Sequence, residues 1–166
     1  HAPEGVASEG VDSLAGIERL LFADQYLIFG SRVEEVARVA IALWDPAVLP
    51  ISHNLFARGI SFYDVGYGYD ELIHVAQQFF ADRSEAQFAQ LLAANVPAGR
   101  SAAELVSLMR AHGGGGSGEA GREYVTKLLA DDALNLHNLD LAGLPAQGLV
   151  CDLSADGLLL FASLGI

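Results

Sequence analysis

Glu71 and His74 stand in an E-x-x-H arrangement. On a helix that spacing brings a carboxylate and an imidazole to one face. Carboxylate-bridged di-iron bundles use two such pairs plus two further glutamates. This chain has no second E-x-x-H. The pair therefore stands as a transition-metal candidate against the plainer reading of polar residues on a helix face, which the missing partners favour. Asp152, Ser154, Asp156 and Gly157 match the first half of an EF-hand loop. Leu160 fills the ninth position and Ser163 the twelfth, where a bidentate Glu belongs. A turn is the favoured reading there; no cofactor is firmly indicated, and calcium remains open. Tyr63, Tyr67 and Tyr69 lie between His53 and His74. Tyr and His are haem axial ligands, so His53, Tyr67, Tyr69, Glu71 and His74 define a metal or haem alternative. Aromatics in a glycine loop otherwise make a packed loop or a contact surface for protein or glycan.

Other chemistry finds little support. No G-x-S-x-G occurs, and Ser52 and His53 are only neighbours in sequence. Cys151 lies in an apolar stretch, where a thiol is normally inert. Neither phosphate-loop nor dinucleotide glycine patterns appear. His1 with a free amine would chelate copper, but no second histidine stands near it in sequence and a cloning remnant is the stronger reading. No catalytic set assembles, and the expectation is a protein that is not an enzyme.

Composition narrows the class. Of 166 residues 52% are hydrophobic and 18% charged, with net charge −12. Such a chain has enough apolar surface to fold. Its acidity opposes nucleic acid and anionic membranes. A single cysteine excludes an internal disulfide and any multi-thiolate zinc site. No charge-free apolar run reaches bilayer length, and the opening HAPEG does not read as a signal peptide. Lys127 is the only lysine. Low cysteine and lysine with high acidity suit export through a one-step channel, and many cytosolic acidic proteins share them.

The elements that must position these residues follow from periodicity. Residues 1–16 are small and polar and read as a flexible opening segment. Residues 17–29 carry two β-prone runs around Ala23-Asp24-Gln25, a hairpin pattern. From Val33 the period turns helical, with Ser31 and Glu34 at capping-box spacing and Asp45-Pro46 as the stop. Residues 51–60 suggest a helix and 61–69 a loop. Asp70 is expected to cap a helix burying Leu72, Ile73, Ala76, Phe79 and Phe80. Ser84 and Ser101 open two more. Residues 113–118 read as a flexible connector, native or engineered, before a helix over 119–129. Ser154 to Gly157 would turn a C-terminal hairpin. The expected fold is mainly α (α+β): five or six helices with short β-hairpins near both termini. Residues 17–149 form one domain in this reading, and 150–166 a hairpin or secretion-signal-like tail.

Three segments carry a resemblance: GVDSLAGIERLLFADQYLIF at 10–29, GISFYDVGYGYDELIHVAQQF at 59–79 and KLLADDALNLHNLDLAGLPAQGL at 127–149. In order and spacing they resemble an α-helical domain family found near the C-termini of RTX-type secreted, adhesin-like and surface-layer bacterial proteins. Two departures stand out: Gln25 replaces the family's turn glycine, and the tail runs on past Gly148. The calcium-binding nonapeptide repeat is absent. The resemblance implies an extracellular or cell-surface, type I-secreted module working in self-assembly, surface attachment or adhesion. Its partner would be a further copy or a neighbouring surface protein. It transfers no catalytic residue.

Overall fold

The computed structural model describes residues 19–21, 25–28, 31–44, 53–96, 99–114, 118–132, 135 and 149–152. The described part is mainly helical. Its six helices are α1 (Ser31–Trp44), α2 (His53–Asp64), α3 (Tyr69–Gln78), α4 (Glu85–Asn95), α5 (Ala102–His112) and α6 (Glu119–Ala130).

Helix α1 is the centre. Its first turns place Val33, Val36, Ala37 and Ala40 inward, as the period predicts. The second half departs from a one-sided stripe: from Val36 to Leu43 every residue but Arg38 is buried. A helix apolar nearly all round belongs in an interior, and α1 packs against α2, α3, α4 and α6. Fully buried side chains such as Ile41 and Leu43 each contribute about 1.5–3 kcal/mol. The approach of α2 is set by Gly59, where an added Cβ would meet Val36 Cγ1 at 2.5 Å. Buried Asn95 of α4 donates through Nδ2 to Ala42 O at 3.1 Å, tying α4 to the end of α1.

Helices α4, α5 and α6 pack in sequence order. Ser84 and Ser101 cap α4 and α5. The Gln87 and Glu104 amides donate to their hydroxyls at 3.3 Å. In return the Ser84 and Ser101 amides donate to Gln87 Oε1 at 2.9 Å and Glu104 Oε2 at 2.8 Å. These reciprocal bonds satisfy amides that a helix start leaves orphaned. At the α5–α6 seam, a Cβ on Gly121 would lie 2.1 Å from Met109 O. Only glycine permits that approach.

Three expectations change. Residues 61–69 are not one loop. Helix α2 runs to Asp64 because Phe62 belongs to the core at 2% exposure. The turn proper is short, and Gly66 takes φ +97°, the left-handed region that glycine enters without strain. Asp70 does not cap α3; Gly68 holds that position, and its amide donates to Glu71 Oε2 at 3.0 Å. Phe79 does not face inward. Helix α3 ends at Gln78, and Phe79 in the following turn is 51% exposed.

Three short strands, β1 (Arg19–Leu21), β2 (Gln25–Ile28) and β3 (Leu149–Asp152), form an antiparallel sheet in the order β1-β2-β3. Leu27 of β2 pairs with Leu20 on one side and Val150 on the other. The turn expected at Ser154 to Gly157 lies outside the described residues, as do the opening segment and most of residues 133–148. Among the described residues no helix is long and apolar enough to cross a membrane.

Candidate functional site

Helix α6 carries Glu119 and Glu123 one turn apart, on the side that faces α3. That i,i+4 spacing stacks their carboxylates. Helix α3 brings His74 against them. His74 Nδ1 lies 2.5 Å from Glu123 Oε1 and 3.7 Å from Glu119 Oε1. Gln78, one turn further along α3, places Nε2 at 3.0 Å from His74 Nε2 and donates to Glu119 Oε1 at 3.3 Å. One ligand atom from each of His74, Glu119 and Glu123 lies within 4.8 Å of the others. All three side chains remain partly open to solvent.

Beside this group the surface is concave. A depression of about 430 Å³ is lined by Val75, Gln78, Phe79, Ala81 and Glu119. A second, of about 230 Å³, shares Gln78, Ala81 and Glu119 and adds Gln77 and Arg122. Phe79 leans edge-on against Trp44, with ring centroids 5.9 Å apart. Arg122 frames the far side. Its guanidinium donates to Phe80 O at 2.9 Å and to Arg83 O, and sits 5.0 Å from the Phe88 ring centroid. It thus adds a charged donor to carbonyls of the turn after α3, where Phe80 O also accepts from the Arg83 amide at 3.0 Å.

The rest of the α3–α6 seam is polar. Lys127 bonds Asp70 and lies 5.4 Å from the Tyr69 ring centroid. Tyr69 donates its hydroxyl to Asp131 at 2.8 Å. Asp131 also faces Arg38 at 3.5 Å, and Arg38 pairs with Glu34. Burial pushes the Tyr69 phenol well above its ordinary range, and the bond to Asp131 adds to the rise. Tyr63 behaves alike: burial comes first, then its 2.6 Å bond to Glu35. Both stay protonated as hydrogen-bond donors.

These contacts redistribute the residues singled out from sequence. Tyr63 and Tyr69 are half-buried fasteners between helices. Tyr67 stacks on Phe62 at 4.5 Å and is 38% exposed. Glu71 is taken up by the start of α3, whereas His74 turns to α6. The carboxylates beside His74 are thus Glu119 and Glu123. The i,i+4 glutamate pair was visible in the sequence; its meeting with His74 was not, because that contact is tertiary. His53 opens α2, and Asp152 closes β3. Ser154 and Asp156, the rest of the calcium candidate, lie outside the described residues.

Compared with models of protein families, with curated proteins and with solved structures, the chain matches none of them.

Proposed function

We infer that this chain is a non-catalytic module of a secreted or cell-surface bacterial protein. It acts by contact with another copy of itself or with a neighbouring surface protein, in assembly, attachment or adhesion. The observation that carries this reading is Phe79. A large aromatic held half-exposed on Trp44, at the lip of a 430 Å³ depression, is a surface that a partner would cover. Val65 at 71% and Tyr124 at 39% exposure add further apolar surface. The resemblance of residues 10–149 to the RTX-associated family, the acidity and the single lysine support the extracellular setting. Short hairpins near both termini belong to the same reading, and their strand edges offer a further route to pairing.

Sedimentation velocity over a concentration series tests it. The expected result is concentration-dependent assembly of the wild type and its loss in Phe79→Glu. A wild type that stays monomeric at every concentration, with no neighbouring protein recovered on it, contradicts the reading.

A further inference from the structure

We propose that His74, Glu119 and Glu123 bind one divalent transition-metal ion of the zinc class across the α3–α6 seam. The donor set is one imidazole nitrogen and two carboxylate oxygens. Imidazole suits zinc and its transition-metal neighbours, whereas calcium and magnesium take oxygen ligands. Three protein ligands with a fourth position open to solvent are a common arrangement for zinc. Around a tetrahedral ion with bonds of about 2.0–2.1 Å, ligand atoms stand about 3.3 Å apart. The His74–Glu119 separation of 3.7 Å already approaches this value. The 2.5 Å contact to Glu123 opens by about 1 Å or less when an ion enters between the two atoms. All three side chains are partly solvated, so small rotations are cheap.

Charge points the same way. Among the described residues, His74 is the only cation-forming side chain paired with Glu119 or Glu123. Arg122, between them in sequence, spends its guanidinium on the carbonyls of Phe80 and Arg83. A permanent cation is what two stacked carboxylates in a chain of net charge −12 lack. Gln78 places its amide 3.0 Å from His74 Nε2. With a metal on Nδ1 the Nε2–H is a donor, so the Gln78 amide turns its oxygen to the ring to give the outer-shell acceptor that metal-ligating histidines commonly have. The ligands come from the two ends of a long loop-and-helix excursion, α3 and α6, so a bound ion would clamp them together.

This site is independent of the assembly reading. Isothermal titration of zinc chloride into chelator-treated full chain tests it, with circular dichroism confirming that each variant folds. The expected result is one zinc per chain, with affinity weakened by at least about tenfold in His74→Ala and in Glu123→Gln. His112→Ala and Glu71→Gln bind like the wild type. Should His74→Ala not fold, Glu123→Gln and Glu119→Gln decide. A wild type that takes up no zinc overturns the site. So does unchanged affinity in His74→Ala and Glu123→Gln. Calcium titrated in parallel is unaffected by His74→Ala. A chain that assembles without binding zinc removes this site and leaves the assembly reading standing, and a monomer that binds zinc does the reverse.

Discussion

Helix α6 has two working faces, and they are closed by different forces. Its buried face, packed on α5 and α1, carries Gly121, Val125 and Leu129, and the α5 and α6 backbones approach so closely that no Cβ fits between Gly121 and the Met109 carbonyl. Toward α3 it presents Glu119, Glu123 and Lys127, and the seam is laced by partly solvated hydrogen bonds and ion pairs. Apolar burial accounts for most of the stability a helix packing can supply, whereas exposed ion pairs contribute little. The difference assigns most of the stability to one face of α6 and leaves the other polar and partly open to solvent.

Substitutions can break that division. Leu129→Ala should cost most, about 2–5 kcal/mol, because the side chain is fully buried and its removal leaves a cavity. Urea unfolding measures it, and a cost below about 1 kcal/mol would place the core elsewhere. Gly121→Ala should follow, at about 1–3 kcal/mol, since the helices must separate to admit the methyl group. A neutral result there would mean that the backbones are not in contact. On the opposite face, His74→Ala in metal-free buffer should change stability by only about 0–1 kcal/mol. A cost equal to that of Leu129→Ala would erase the contrast.

Acid gives the smallest and most local effect. The Ser101 hydroxyl and amide hold the Glu104 carboxyl below its ordinary range. A carboxylate with a depressed folded-state pKa stabilises above its unfolded value, about 4.3 for Glu, and that contribution fades as pH falls through the folded value. The stability difference between wild type and Glu104→Gln should therefore shrink steadily below about pH 4.3. A difference independent of pH would show that the cap does not depend on the charge.

What the sequence revealed was local. The capping serines at 84 and 101, with Gln87 and Glu104 three residues on, announce α4 and α5 because a capping box closes within one turn. Tertiary demands were hidden. The run from Ser61 to Tyr69 looks like a loop by its glycines and aromatics, yet the core's need for Phe62 extends α2 to Asp64. Phe79 fits the apolar stripe of α3 by period, but the helix stops one residue before it and the ring turns outward. At the candidate site, the E-x-x-H spacing singled out His74 with Glu71, whereas in the structure Glu71 bonds the Gly68 amide and His74 meets Glu119 and Glu123. Those two carboxylates sit on a helix whose docking depends on Gly121 and the buried face of α6, and no local pattern encodes that.

The central claim is that the Phe79 surface serves a partner and not the fold. Equilibrium urea unfolding of Phe79→Glu, at a concentration where the wild type is monomeric, tests it most directly. A half-exposed ring should be replaceable at a cost of about 1 kcal/mol or less. A loss of about 3 kcal/mol or more, the range of a core aromatic, would make Phe79 part of the packing and contradict the account.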